Sequence, residues 1–333
     1  MNKIILLDKR PVGQATISDF KFIEEEIPQP GDGEILLETL YVSVDPYLRG
    51  RMNDSKSYVP PFKLHEPIQS GIIAKVVKSY NAAFNEGDIV SGGLKWQEYQ
   101  VSTGVGLTKI ESDGIGLTAY LGILGMTGLT AYCGLLEIGK PKAGETLVVS
   151  GAAGAVGSVV GQIGKLFGCR VVGIAGTDEK VEMLKSEFHF DEAINYKTTP
   201  DLNKAIKDAC PDGVDIYFDN VGAEISDAVL LNINKFARIP VCGAISLYNG
   251  DASSSKLRIP SVLLTKSALM QGFIVSDFAD KFPDAIKQLT TWVKEGKLTY
   301  SETVEKGFDH IPQAFLDLFD GKNKGKMIVD CSK

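Results

Sequence analysis

Three glycines, Gly151, Gly154 and Gly157, separate a run of mostly β-branched residues, TLVVS, from a segment with apolar residues at helical spacing. The pattern predicts a strand that turns directly into a helix. Glycine permits the tight turn and lets backbone N–H groups approach a pyrophosphate, to which the helix N-terminus adds its dipole. The turn, spaced GxxGxxG rather than GxGxxG, is therefore a candidate dinucleotide site. The alternative is that the glycines only allow the helix to pack closely on the strand.

The end of the next predicted strand indicates which dinucleotide would bind. Ala175 and Gly176 stand where NAD sites usually carry an Asp or Glu that holds the ribose 2′-OH. Asp178 comes slightly later and is expected to cap the following helix. Without a carboxylate at the strand end a 2′-phosphate can fit, and Lys180 could pair with it. The residues favour NADP, although Lys180 could equally be a solvated helix lysine.

The elements that must position this turn alternate along the chain. Between about 117 and 292, short apolar runs alternate with helical periodicity, which predicts βαβ units and a doubly wound parallel sheet. Six strands, the count of a full dinucleotide-binding fold, are predicted at 146–150, 170–175, 192–196, 214–221, 236–243 and 269–276. Residues 1–110 contain short strands between turn signals, in the runs 34–44, 71–80 and 88–101, and predict a small β-barrel-like domain. The last segments, 300–309 and 325–331, are expected to rejoin that domain.

Composition excludes several classes of protein. A chain of 333 residues with a net charge of −7 and no basic block predicts two globular domains and argues against binding to nucleic acid or to an anionic membrane. Residues 114–136 carry no charge and could span a bilayer by length, but six glycines favour a buried helix or helix pair. The N-terminus lacks the pattern of a signal peptide, and five scattered cysteines predict reduced thiols in a cytoplasmic protein.

Six motifs resemble the medium-chain dehydrogenase/reductase superfamily, and most closely its zinc-independent prostaglandin reductase and alkenal double-bond reductase group. They are YVSVDPYLRGRM (41–52), GMTGLTAY (125–132), GAAGAVGSVVGQIGK (151–165), VVGIAGTDEK (171–180), FDNVG (218–222) and NKGK (323–326). The family often has proline where this chain has Thr127. The resemblance implies a GroES-like domain at 1–122, a Rossmann domain at 123–292 and a segment, 293–333, that rejoins the first. It places the active site in the cleft between the domains.

The resemblance also implies which residues bind NADP(H). The pyrophosphate turn comprises Gly151, Ala153, Gly154, Ala155, Val156 and Gly157. The adenosine ribose and its 2′-phosphate lie by Gly176, Lys180 and Tyr196. The nicotinamide side involves Cys242, Gly243 and Tyr248, with backbone groups of Phe273, Ile274 and Val275 against the carboxamide. Further contacts with the cofactor are implied for Asn220, Asn323, Met126 and Thr130. Independently of the family, Asn220 ends a predicted strand, where open α/β sheets bind ligands, or is only a turn residue.

No metal site is predicted. A catalytic zinc needs about three protein ligands, and a structural zinc usually four. The chain has three histidines, His65, His189 and His310, and no CxxC pair. His65 stands where zinc-dependent relatives keep a ligand, and without partners it is expected to be a polar or structural residue.

Chemistry without a metal favours reduction of an activated C=C bond. Hydride added to the β-carbon of an enal or enone leaves charge on the carbonyl oxygen, which one or two hydrogen-bond donors can stabilise. Tyr248 is the candidate donor and Tyr47 a second catalytic candidate that closes the pocket. Either could instead be a wall residue without a chemical role.

Two other functions remain open. A quinone reductase would have the same fold and cofactor, and a third hypothesis is a non-catalytic NADPH-binding or redox-sensing protein. The apolar run 269–276 is a candidate edge strand that predicts a homodimer. Residues 249–260, which are polar and rich in serine, form either a lid or a solvated loop.

Overall fold

The computed structural model describes residues 1–111, 114–250 and 259–332. The chain divides into two compact units. The first contains residues 1–121, 302–323 and 327–333, and the second contains 122–301 and 324–326. The segment 251–258, and with it most of the lid candidate, lies outside the described residues.

The elements follow in chain order. The strands are β1 (Asn2–Leu7), β2 (Phe20–Glu25), β3 (Ile35–Ser43), β4 (Gln69–Ser79), β5 (Ile89–Lys95), β6 (Tyr99–Ser102), β7 (Thr108–Lys109), β8 (Thr146–Ser150), β9 (Arg170–Ala175), β10 (Glu192–Asn195), β11 (Val214–Phe218), β12 (Ile233–Val241), β13 (Leu269–Gly272), β14 (Glu302–Lys306) and β15 (Lys326–Asp330). The helices are α1 (Leu48–Arg51), α2 (Met126–Cys133), α3 (Gly157–Leu166), α4 (Asp178–Ser186), α5 (Leu202–Ala209), α6 (Ala223–Leu230), α7 (Ile259–Lys266), α8 (Phe282–Lys294) and α9 (Ile311–Phe319).

The first unit is built on an antiparallel sheet in the order β14-β15-β3-β4-β5-β7, with β6 paired to β3 and β1 paired to β2 apart from it. Trp96 is 1% exposed in its core, stacks on Phe20 and donates from Nε1 to Ser70 Oγ at 2.9 Å. The chain bends at residues 96–98, next to this buried tryptophan, so the predicted run 88–101 forms two strands, β5 and β6, rather than one. Helix α9, which packs Phe315 into the same core, was not predicted because the tail contains only short apolar runs.

The second unit contains the predicted parallel sheet of six strands, which is confirmed in the order β10-β9-β8-β11-β12-β13. β8 is buried along its whole length, as expected for a strand with helices on both faces. The strand order reverses between β8 and β11. The carboxyl ends of these two strands therefore form the edge at which doubly wound sheets bind ligands.

The uncharged stretch 114–136 forms short helices, a 3₁₀ turn at Leu117–Leu121 and then α2. A π-helical turn continues α2 from Gly134 to Gly139. A Cβ added at Gly128 would lie 1.8 Å from the carbonyl oxygen of Ile123, so the glycines of this stretch allow close packing. Within the described residues, no helix has the length and apolar character needed to cross a membrane.

Candidate cofactor site and donor residues

The glycine turn connects the buried strand β8 to α3. Gly151 has a φ of +59°, a conformation that favours glycine. A Cβ at Gly157 would lie 2.4 Å from the Gly151 carbonyl oxygen, so this glycine is required for packing. No protein acceptor among the described residues takes the N–H groups of Ala155, Val156 and Gly157. The turn thus serves close packing and also presents backbone donors at a helix N-terminus, where an anion binds.

A segment from the tail lies against this turn. The Gly325 N–H donates to the Ala153 carbonyl oxygen at 2.8 Å, and Gly325 forms a bridge with Gly154. Gly325 has a φ of +63°, and a Cβ there would lie 1.8 Å from the Ser301 carbonyl oxygen. Sequence reasoning did not predict this contact, although the glycine in the NKGK motif was a signal for a close approach of two backbones.

Three lysines lie near the tip of β9. A Cβ at Gly176 would lie 3.1 Å from Tyr196 Cε1 and 3.3 Å from Lys197 Cε, so a carboxylate side chain does not fit there without displacing them. Burial lowers the pKa of Lys180, and the charges of Lys197 and Lys324 lower it further, while Glu179, which pairs with Lys324 Nζ, opposes them. Three lysine side chains therefore converge where a ribose 2′-phosphate would lie. Lys197 and Lys324 were missed, although each stands beside a residue that the resemblance had indicated.

The predicted cap of α4 was wrong. Thr177, not Asp178, is the N-cap residue, and its hydroxyl accepts the backbone N–H of Lys180 at 3.2 Å. Asp178 is the first residue of the helix and accepts a hydrogen bond from Asn195 Nδ2 at 2.6 Å. Thr177 is preferred because its extended backbone lets the hydroxyl reach the N–H three residues on.

Asn220 lies just beyond β11, at the point where the strand order reverses. Its backbone N–H donates to Ser150 Oγ at 3.0 Å, and its side-chain amide donates to the Ser150 carbonyl oxygen at 2.8 Å. These hydrogen bonds fix the Asn220 side chain on the end of β8. Its amide oxygen lies at the ligand-binding edge of the sheet.

Tyr248 lies close to this edge as well. A Cβ at Gly243 would lie 3.3 Å from both Tyr248 Oη and the Asn220 carbonyl oxygen. Burial raises the pKa of Tyr248, the N–H donated by Ala244 opposes the rise, and Cys242 adds to it. Tyr248 therefore keeps its phenolic proton at neutral pH and can act as a hydrogen-bond donor.

Comparison with known proteins places the chain in a family. Residues 3–110 match the family model described as the N-terminal domain of oxidoreductase, and residues 155–291 match the one described as zinc-binding dehydrogenase. YfmJ of Bacillus subtilis (strain 168) is 58% identical, over 98% of this chain and 97% of its own. The 2-alkenal reductase (NADP(+)-dependent) of Nicotiana tabacum is 43% identical, over 100% of this chain and 98% of its own. The chain belongs to the medium-chain dehydrogenase/reductase superfamily.

A solved structure supports the same conclusion. CurA from Vibrio vulnificus, in complex with NADPH, superposes with a TM-score of 0.95 at 42% identity, covering 99% of each chain. The predicted resemblance and fold, a GroES-like domain with a Rossmann domain, are confirmed for this member of the superfamily. The single-residue roles carried over from the family stay predictions.

The remaining cofactor-binding candidates of the second unit lie in two places. Phe273 is buried and packs edge-to-face on Phe218, with ring centroids 6.3 Å apart. The Ile274 N–H donates to Asp277 Oδ2 at 3.1 Å, and Val275 begins a 3₁₀ turn. Met126 and Thr130 lie one turn apart on α2, and the Thr130 hydroxyl donates to the Met126 carbonyl oxygen at 2.7 Å.

The candidates in the first unit stay predictions. Tyr47 stands directly before α1 and packs against the core. Burial and Asp45 raise the pKa of Tyr47, while Arg51 opposes the rise by charge and by a hydrogen bond. Asn323 is half-buried, immediately before the segment that contacts the glycine turn.

The histidines do not form a metal-binding cluster in the described part of the chain. No group of three His, Cys, Asp or Glu side chains there could hold a metal ion. The His65 side chain is 68% exposed, and its Nδ1 lies 3.5 Å from Asp8 Oδ1. His65 is thus an exposed residue that lies beside the carboxylate of Asp8.

Proposed function

We propose that the chain is an NADPH-dependent reductase of the C=C bond of α,β-unsaturated aldehydes and ketones. The observation that carries the proposal is the convergence of Lys180, Lys197 and Lys324 at the tip of β9, on a sheet whose neighbouring strand ends in a glycine turn with unused N–H donors. The names of the relatives agree with it, since one is a 2-alkenal reductase and another binds NADPH.

The residues present fit a phosphorylated dinucleotide. The N–H groups at 155–157 can donate to the pyrophosphate. Gly154, where a Cβ would lie 3.3 Å from the Gly151 carbonyl oxygen, leaves its own position in the turn without a side chain. The lysines offer cations to the 2′-phosphate, which carries close to two negative charges at neutral pH. We infer that residues 123–292 form most of the cofactor-binding domain, to which the tail adds Lys324, and that 1–122 and most of 293–333 form the other domain.

The chain's own groups explain why this reaction needs no metal. When bound, the nicotinamide supplies a hydride to the carbon β to the carbonyl. Negative charge then develops on the carbonyl oxygen, and Tyr248, kept neutral by burial, can donate a hydrogen bond to that oxygen. Protonation of the enolate carbon completes the saturated product.

The proposal is tested by the oxidation of NADPH with a panel of enals, enones and quinones. We expect kcat/KM to be higher for the enals and enones, with the saturated carbonyl compound as product. A higher kcat/KM for the quinones would favour a quinone reductase. Binding of NADPH without oxidation by any member of the panel would favour the redox-sensing protein.

We expect the Tyr248→Phe variant to reduce enones about 100- to 1,000-fold more slowly in kcat, the range for loss of one donor to a developing oxyanion. NADPH affinity should change little, because the aromatic ring remains. The Tyr80→Phe variant, at a phenol of the first unit that is 53% exposed, is the control. Unchanged turnover of every accepted enone by Tyr248→Phe would show that the hydroxyl is not the donor.

We propose that the chain forms a homodimer through the edge of its parallel sheet. β13 is the last strand in the order, and Leu269 on it and Leu264 on α7 are 50% and 81% exposed. An edge strand with exposed leucines is the kind of surface that a second copy covers. We expect light scattering to give twice the mass of one chain. The Leu264→Glu variant should have a mass closer to that of a single chain. Val105→Glu, at an exposed residue of the first unit, should not. A monomeric mass for the unmodified chain would reject the dimer.

We infer a reducing, cytoplasmic location from the cysteines. All five are free thiols. Burial raises the pKa of Cys133 to about 11 and that of Cys210 to about 12, so these thiols resist oxidation.

A further inference from the structure

A buried carboxylate stands beside the cofactor-binding residues and has no role in the chemistry described above. Asp219 is 4% exposed and lies one residue beyond β11. Its Oδ1 accepts hydrogen bonds from the Tyr217 hydroxyl at 2.9 Å and the Ser150 hydroxyl at 3.1 Å, and its Oδ2 accepts one from the Ser226 hydroxyl. The three hydroxyls come from β11, β8 and α6. The carboxylate thus joins three separate elements of the second unit.

The same residue also orders the backbone around it. Oδ1 accepts the N–H groups of Val221 at 3.0 Å and Gly222 at 2.9 Å, which shapes the turn into α6. The Asp219 carbonyl oxygen accepts the N–H groups of Cys242 at 2.8 Å and Gly243 at 3.2 Å, just beyond β12. The carboxyl ends of β8, β11 and β12 are therefore held in fixed positions by one residue. These are the ends at which a doubly wound sheet binds its ligand.

The hydroxyl of Ser150 connects this carboxylate to Asn220. A serine hydroxyl has one proton to donate and can accept as well. Ser150 Oγ accepts the Asn220 N–H at 3.0 Å and donates its own proton to Asp219 Oδ1 at 3.1 Å. Asp219 therefore fixes the rotamer of Ser150, and through it the position of Asn220. Ser150 also directly precedes Gly151, the first residue of the glycine turn.

We propose that Asp219 is a positioning residue for NADPH: its carboxylate holds Ser150, and thereby Asn220 and the glycine turn, in the geometry that binds the cofactor. The proposal rests on the proposed function for the identity of the ligand. It does not require Asp219 to touch the cofactor. A site held ready in this way loses less conformational freedom when its ligand binds.

Binding of NADPH to purified variants, followed by the change in nicotinamide fluorescence well below each melting temperature, tests the proposal. We expect Asp219→Ala to raise the Kd at least about tenfold, the size of coupling found within buried polar networks. Asp219→Asn keeps an oxygen for the four donors at Oδ1 and can donate to Ser226, so its Kd should stay within about threefold. Ser150→Ala breaks the same connection without changing Asp219 and should raise the Kd as Asp219→Ala does.

A double-mutant cycle with Asn220→Ala identifies the route. If Asp219 acts in part through Asn220, the double variant loses less NADPH affinity than the sum of the two single losses. Hydrogen exchange at the amides of Val221 and Gly222 should be faster in Asp219→Ala without ligand. Losses in Kd that add in the double variant would overturn the route through Asn220. A lower melting temperature with an unchanged Kd would overturn the positioning role.

The two proposals fail in different ways. If the unmodified chain binds NADPH but reduces no enone, the proposed function fails while the Kd comparison still tests Asp219. If the unmodified chain reduces enones and the Asp219→Ala variant binds NADPH as tightly as the unmodified chain, the positioning role fails and the proposed function stands.

Discussion

The Gly157→Ala variant is expected to lose NADPH affinity at least about tenfold and to be less stable by about 1–3 kcal/mol, the cost of forcing a methyl group into a packed site. The added Cβ would lie 2.4 Å from the Gly151 carbonyl oxygen and 2.8 Å from Ala152 Cα. Both are backbone atoms, so the turn itself must move. Moving it displaces the N–H groups that we assign to the pyrophosphate. Calorimetric titration with NADPH and thermal unfolding measure the two effects.

The control for this prediction is Gly93→Ala, because a Cβ at Gly93 meets nothing within 4 Å. It should leave the Kd for NADPH unchanged. A Gly157→Ala variant that binds NADPH as tightly as the unmodified chain would show that the turn does not bind the cofactor, whatever its effect on stability.

The Lys180→Ala variant should lower kcat/KM for NADPH about 10- to 100-fold, since a hydrogen bond to a charged group contributes about 1.5–3 kcal/mol. The kcat/KM for NADH, which has no 2′-phosphate, should stay the same. Steady-state kinetics with both cofactors at one enone concentration measures the ratio. Lys185→Ala, which changes an exposed lysine of the same helix, is the matched control. An equal loss with both cofactors would contradict the assignment of Lys180 to the 2′-phosphate.

The pH dependence of the same variant checks the electrostatic argument. Burial and the charge of Lys197 lower the pKa of Lys180, so Lys180 loses its charge at a lower pH than an ordinary lysine does. The 2′-phosphate stays fully ionised in that range, because its second pKa is about 6. The KM for NADPH should therefore rise as pH increases toward the pKa of Lys180. The Lys180→Ala variant should show a weaker rise, and the KM for NADH should show none from this cause.

The sequence predicts the parallel sheet well because each strand is a local signal. The run at 146–150 is apolar and mostly β-branched, and it is bounded by turns, so its type depends little on distant residues. The glycine turn is predictable for the same reason, since strand, glycines and helix are contiguous. The order of the six strands follows from the general topology of the fold rather than from any one residue.

The parts that the sequence did not predict depend on contacts between distant segments. Lys324 reaches the tip of β9 because the chain returns to the glycine turn more than 140 residues after Lys180. The hydrogen bond from Ser150 to Asp219 joins residues that are 69 positions apart. Local errors have a different cause: Thr177 and Asp178 are both good caps by type, and only the backbone conformation at Thr177 decides between them.

The most direct test of the account is to supply NADPH deuterated at both C4 positions with an enone and to locate the deuterium in the product. We expect one deuterium on the carbon β to an intact carbonyl group, with formation of the saturated ketone. Deuterium on the carbonyl carbon, in an allylic alcohol, would contradict the account, and so would the absence of any deuterated product.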